Sequence, residues 1–323
     1  SGGQSSSVGP LARLLPNGDS TRYVAREVTD SLNTLLGAVL SESSRQGYCR
    51  AWSIYVQFCH RSLPGQPLAP LSVTNCSLFV AYLFSQKYAP ATIASYLSAV
   101  CFFMKWGGYP DPSASFIVRK LLGAAQNLQA RADLRLPITK SILATLLASI
   151  PRVYSVQYQQ RLVAAMFSTA FHAFLRIGEL VPKSAQATAS CLQFSDVSTT
   201  NSEVLISILR FKSSKAQGPQ CIHIQASLPP CPVSTLTRFM AVRGPIAGPL
   251  FLSESGRPVI RREFDLILKT MLNFCGLDSS RFKGHSFRIG AASDAAMQGK
   301  SDAQIRLLGR WSSDAFRRYI RIN

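Results

Sequence analysis

Residues 283–323 read KGHSFRIGAASDAAMQGKSDAQIRLLGRWSSDAFRRYIRIN. His285 and Arg288 stand at i and i+3, a spacing that puts both side chains on one helix face within reach of a single phosphate. Gly284 and the small run Ala291, Ala292, Ser293 let such a helix pack close to a neighbour. Arg310 and Trp311 follow, and Tyr319 sits among Arg317, Arg318 and Arg321, whose positive field would hold a phosphate. Singly, each residue has an ordinary reading. His285 could be a hydrogen-bonded core histidine, Trp311 a core indole, and Tyr319 a packed ring with a wet hydroxyl. Order and spacing make them a set, together with a distant segment, FLRIGEL at 174–180, that carries Arg176 and Glu179.

The chain has 323 residues, enough for two domains with real cores, and 47% of them are hydrophobic. Its formal charge of +19 is far from that of an ordinary soluble enzyme. Between Ser43 and Gly178 only Asp111 and Asp133 are acidic, against thirteen Lys and Arg. A polyanion is the expected partner. The sequence has no apolar run of about 18 residues and no signal-peptide layout, so nucleic acid fits better than a membrane. The eight cysteines, at 49, 59, 76, 101, 191, 221, 231 and 275, are scattered and form no CxxC pair. They read as buried free thiols of a reducing compartment, with no metal site expected.

Along the chain, residues 1–29 read as a flexible leader. An apolar stripe of helical period runs through Leu32, Leu35, Leu36, Val39 and Leu40, and a second through Tyr48, Trp52, Tyr55, Val56 and Cys59. Thr74 is the expected N-cap of a helix that buries Leu78, Phe79, Tyr82 and Leu83. Pro90 starts the next helix, and one more follows near 113–130, with Phe116, Leu121, Leu122, Ala125 and Leu128. Residues 30–128 are therefore expected to form a helical domain, 129–136 a linker, and 137–323 a second domain. In the second domain Thr139 caps a helix, and a longer apolar helix over 157–175 delivers Arg176 at its end. The segments EVLISILRF and CIHIQ alternate as strands around a turn carrying Lys212 and Lys215. Further helices are expected at 234–242, 261–275, 285–298, 302–308 and 314–319. The fold class is mainly α, with a small antiparallel β-sheet.

Arg176, a hairpin Lys, the HxxR of His285 and Arg288, then Trp311 and Tyr319 occur in the order that marks the tyrosine recombinases, the phage-integrase family, which the chain resembles. GHSFRIGAAS followed by GRW and YIR is similar to Cre and to the recombinases of DIRS-type retroelements. The resemblance implies a helical core-binding domain and a catalytic domain that close as a clamp on duplex DNA. It implies strand cleavage through a covalent 3′-phosphotyrosine, with no metal or other cofactor. Arg176 and Arg288 would grip the scissile phosphate, His285 would act as acid or base, and Trp311 would donate to the phosphate and pack the site. Tyr319 would be the nucleophile, and Glu179 would position its neighbours. Lys215, ahead of Lys212, would protonate the leaving 5′-oxygen.

These assignments agree with what the chemistry needs. Growing charge on two non-bridging oxygens calls for the planar, always-charged fork of Arg. A leaving oxygen calls for a proton donor, and a Lys serves when nearby cations lower its pKa. DNA contacts from the first domain are expected at Arg45, Arg50, Lys87, Lys105, Arg119 and Lys120, with Lys212 from the hairpin. The resemblance further implies a homo-oligomer on DNA, dimer to tetramer, and work in the nucleus for a mobile element. Only Ile320, Arg321, Ile322 and Asn323 follow Tyr319, where many family members carry a segment that docks on the next protomer. Either the chain has been shortened or assembly uses another surface. Four alternatives stay open. Arg176–Glu179 could be a surface ion pair, and residues 301–320 could form the second half of a helix-turn-helix. The whole could be a domesticated DNA-binding protein without catalysis, or a type IB topoisomerase.

Overall fold

The computed structural model describes residues 31, 34–35, 37–129, 134–208 and 220–321. The chain divides into two units, Ser1–Ala132 and Asp133–Asn323. The expected leader, residues 130–133 of the expected linker, Leu32, Leu36, and the turn with Lys212 and Lys215 lie outside the described residues.

In the first unit, serine hydroxyls set most of the helix starts. Ser41 accepts from the Ser44 amide to open α1 (Glu42–Ser62). Ser72 accepts from the Asn75 amide to open α2 (Val73–Ser85), and Ser115 caps α4 (Phe116–Leu128). Pro90 begins α3 (Pro90–Trp106), where its missing N–H has no helical partner to lose. The cap of α2 is thus Ser72 and not Thr74, which lies inside the helix. Starting earlier, α2 turns Cys76, Phe79, Val80 and Leu83 inward and leaves Leu78 exposed. Leu35, Val39, Phe116 and Leu128, read from sequence as inward, are also exposed.

The core of this unit is aromatic and aliphatic, with Tyr55, Phe58, Phe79, Leu97, Val100 and Met104 all buried. Tyr55 and Phe79 meet edge to face at 5.3 Å. The Tyr55 hydroxyl donates to the Leu68 carbonyl at 2.8 Å, so the ring is buried without stranding its polar end. Each such side chain contributes about 1.5–3 kcal/mol of burial.

In the second unit α5 (Lys140–Val153) is capped by Thr139, and α6 (Gln157–His172) runs through the centre. Buried residues face all round the second half of α6, from Leu162 to Phe171. The chain then turns at Phe174, whose φ is +50°. Arg176 is not the end of this long helix. It is the N-cap of a separate four-residue helix, α7 (Ile177–Leu180).

Three antiparallel strands follow in the order β1 (Val197–Thr199), β2 (Glu203–Ile208), β3 (Gln220–Gln225). Val204 pairs with Ile224 and Ile206 with Ile222, and Val204, Ile206 and Ile208 turn inward. β1 is too short to alternate visibly in sequence. After the sheet come α8 (Pro232–Arg243), α9 (Arg261–Phe274), α10 (His285–Met297) and α11 (Asp302–Gly309), and, among several short 3₁₀ turns, one over Asp314–Tyr319.

Glycines allow α10 its close contacts. A Cβ on Gly290 would lie 1.8 Å from the Ile138 carbonyl oxygen, and one on Gly284 would lie 2.2 Å from Cγ1 of Ile177. The Ile138 amide donates to the Ser286 carbonyl at 3.0 Å, which pins the chain before α5 to the start of α10.

Candidate functional site

Glu179 is the organising charge. Its side chain is 8% exposed, and its two oxygens accept from Arg176 at 2.7 Å and from Arg310 at 2.7 Å. The Arg176 backbone amide adds a third bond, at 2.9 Å. Burial alone would raise this carboxyl, but Arg310 and Arg176 outweigh it and hold it below the usual carboxylate range. A surface ion pair is excluded by this burial. Arg176 keeps a quarter of its side chain exposed, so one end of its guanidinium is anchored while the residue still reaches solvent.

Arg310 sits at the end of α11 in the left-handed conformation, φ +54°. Its side chain is 2% exposed. Besides Glu179 it donates to the carbonyls of Ala173 and Phe174. Sequence reading placed Arg310 beside Trp311 without a role. The signal available was the unassigned second oxygen of Glu179.

Arg288 lies beneath the site, fully buried. Its terminal nitrogens donate to the Phe174 and Gly309 carbonyls, and its guanidinium stacks 4.1 Å from the centre of the Trp311 ring. Burial, with Arg176 and Arg310 nearby, brings it down to about 9, so it remains a cation at neutral pH. Its Nε has no hydrogen-bond partner among the described residues. The sequence expectation was an Arg288 that grips phosphate from the helix face it shares with His285. The guanidinium is instead committed to two backbone carbonyls, because α10 is surrounded on the Arg288 side by the 173–175 turn and the end of α11.

His285 is half-buried at the start of α10. Its ring meets the Tyr319 ring edge to face at 4.8 Å. Trp311 meets Tyr319 from another side at 5.0 Å, and the Arg288 guanidinium is 5.8 Å from the centre of the tyrosine ring. Gly309 makes room for the indole, since a Cβ there would lie 1.6 Å from the Trp311 ring. Phe316 is fully buried and roots the Tyr319 segment. That segment is a six-residue 3₁₀ turn folded back on the domain, so residues 301–320 do not present a long exposed recognition helix. Arg176, Glu179, His285, Arg288, Trp311 and Tyr319, spread over 144 positions, thus come from four elements into one cluster of the same chain.

No family model matches the sequence, and no curated protein matches it either. Solved structures do. The Tn1549 transposon integrase in complex with circular intermediate DNA superposes with a TM-score of 0.61 at 13% identity, covering 88% of this chain and 91% of that one. The XerH site-specific recombinase, bound to palindromic difH substrate in a post-cleavage complex, gives 0.63 at 15%, covering 85% and 75%. A lambda integrase dimer bound to a COC′ core site gives 0.56 at 15%, covering 92% and 81%.

The chain has the tyrosine recombinase fold.

Within that fold, the six basic residues expected to meet DNA from the first unit differ in availability. Arg50, Lys87, Arg119 and Lys120 are exposed. Lys87 and Arg119 line one cleft of about 1130 Å³, floored by the small residues Ala91, Ala94 and Gly123. Arg45 and Lys105 are already engaged, with Glu42 at 2.6 Å and Asp111 at 2.9 Å. Such exposed pairs are worth about 0–1 kcal/mol and yield readily to a phosphate. All eight cysteines are free thiols, but only Cys59, Cys76, Cys101 and Cys191 are buried; Cys49, Cys231 and Cys275 are half-buried and Cys221 is exposed on β3. Among the described residues no group of His, Cys, Asp and Glu could hold a metal ion, and no helix is long and apolar enough to cross a membrane.

Proposed function

We propose that this chain cuts and rejoins DNA strands through a covalent 3′-phosphotyrosine. The observation that carries the reading is the packing of Tyr319 against His285 and Trp311 of its own chain, with the Arg288 guanidinium 5.8 Å from the ring centre. The Tyr319 oxygen attacks phosphorus and the bond to the 5′-oxygen breaks. The phenol proton passes to His285, and the leaving oxygen takes a proton from Lys215, with Lys212 as the second choice. Arg176, steadied by Glu179, holds a non-bridging oxygen. Arg288 adds positive potential from beneath, and Trp311 packs the site and donates its indole N–H to the phosphate. Because the phosphotyrosine keeps the energy of the phosphodiester, rejoining needs no nucleotide, and the side chains supply the acid, base and charge without a metal.

The similar structures are complexes with DNA, and the +19 charge suits the same partner. Exchange of strands between two duplexes requires several copies, so the working form is a homo-oligomer on DNA, from dimer to tetramer. The DIRS-like ending and the free thiols extend the reading to a eukaryotic mobile element acting in the nucleus.

A nicked duplex carrying the target site tests the proposal. The wild-type chain leaves a denaturation-resistant protein–DNA adduct, and Tyr319→Phe abolishes it while binding survives. Arg176→Ala lowers the rate by about a hundredfold or more, since removing one charged hydrogen bond from the transition state costs roughly 3 kcal/mol. The commitment of Arg288 to two carbonyls favours a second reading, a DNA-binding protein of this fold that does not cut. Binding without any adduct would establish it.

A further inference from the structure

The Tyr319–Arg321 segment is held by a group that the strand-cutting reading does not use. Ser293 is on α10, eight residues after His285, and is 2% exposed. Its hydroxyl donates to the Tyr319 carbonyl at 3.2 Å and accepts from the Arg321 amide at 2.9 Å. One oxygen therefore bonds the backbone on both sides of Ile320, immediately after the tyrosine. Before the tyrosine, Phe316 is fully buried. Other polar ties of this segment run to α11 through Arg317–Asp302 at 2.9 Å and Arg306–Asp314 at 3.6 Å, and the Arg321 side chain donates to the Arg135 carbonyl. Both ion pairs are well exposed, so salt and water weaken them.

We infer that Ser293 is a positioning residue, a clasp that registers Tyr319 to the helix carrying His285 and so commits the tyrosine to a phosphate bound by its own chain. The inference rests on the strand-cutting reading. An in-line nucleophile tolerates little displacement, and a misplacement of about 1 Å can slow a reaction about a hundredfold. A serine at this point has a further use. His285, Arg288 and the anchor of the nucleophile all ride on α10, so any movement of that helix carries acid/base, cation and tyrosine together. Without the hydroxyl, the segment keeps its packing and the Arg321–Arg135 bond but loses its backbone tie to α10, and the tyrosine is less firmly committed to its own chain's phosphate.

Two measurements test this on the full chain. The first needs no DNA. In Ser293→Ala, hydrogen exchange at the Arg321 amide should quicken about tenfold, as for loss of a buried hydrogen bond, while amides of α6 stay as in the wild type. Alanine favours a helix at least as well as serine, so the variant keeps its fold. The second uses a pool of nicked duplexes with a randomised core, from which adducts are recovered after denaturation. Ser293→Ala should form adduct about tenfold more slowly at unchanged DNA affinity, and Ser293→Thr, which keeps a hydroxyl, should recover the rate.

Mixing completes the test. A Tyr319→Phe chain offers a phosphate pocket without a nucleophile, and an Arg176→Ala chain offers a nucleophile with a damaged pocket. Their mixture should give no adduct while Ser293 is present, and should give one when Ser293→Ala is added to the Arg176→Ala chain. The clasp is overturned if Ser293→Ala exchanges and cleaves as the wild type does, or if the first mixture already forms adduct. A wild-type chain that yields no adduct, with the exchange effect intact, removes the strand-cutting reading and the positioning role with it, and leaves Ser293 as a purely structural tie.

Discussion

Glu179 divides its two oxygens between Arg176 and Arg310, and that division predicts how the residue responds to substitution. Glu179→Ala leaves the Arg310 cation buried without its counter-charge, so the urea midpoint should fall by the equivalent of about 3–5 kcal/mol. Replacing both partners, as Arg310→Met with Glu179→Gln, should recover much of the loss, because desolvation then no longer opposes the fold. His172 gives a second test at this scale. Burial, with Lys140 nearby, lowers its imidazole from 6.5 to about 4. The unfolded chain therefore takes up the proton first as pH falls. Stability is full above pH 6.5 and declines toward pH 4, by on the order of 3 kcal/mol. Thermal midpoints at pH 7, 6, 5 and 4 should show this slope, and His172→Gln should flatten it. The loss from Glu179 comes at lower pH, because its carboxyl lies below the ordinary range. At this scale the sequence revealed identities well. The spacing of His285, Arg288, Trp311 and Tyr319 singled out four residues that do meet. It did not reveal burial: Arg288 reads as a clamp on phosphate, and the carbonyls of Phe174 and Gly309, distant in sequence, hold it inward.

Two glycines fix how the elements meet. Gly290→Ala drives a methyl into the Ile138 backbone, which cannot rotate aside, and should destabilise the second unit by about 3 kcal/mol. Gly309→Ala meets the Trp311 ring instead. A ring can move, so this variant should stay folded but shift the indole off Arg288, and Trp311 emission should report the change. Element boundaries were legible wherever a side chain marks them, as Pro90 and Thr139 do for α3 and α5. They were not legible where tertiary contacts decide. A continuous apolar run hides the break after His172, because Phe174 has no sequence mark of its positive φ. Thr74 and Ser72 are equally good caps in isolation, and the packing of Cys76 and Val80 selects Ser72.

Over the whole molecule the +19 charge predicts a steep salt dependence of DNA binding, since each phosphate neutralised releases counterions. Lys87→Gln with Arg119→Gln, in the cleft they share, should reduce the slope of log K against log salt by about 2 and weaken binding to all sequences alike. Unchanged slopes would remove that cleft from the DNA surface. The basic balance and the mainly helical class were legible from composition and periodicity, because both are sums over many residues. The chain also has two separate interiors, one built on Tyr55, Phe58 and Phe79 and the other on Phe167, Phe264 and Phe287. Each is filled by apolar side chains of its own unit. A protease cut or a gene split between Ala132 and Asp133 should therefore yield two soluble halves, each melting on its own. The chain could then be studied, and its fragments exchanged with those of relatives, as two interchangeable modules.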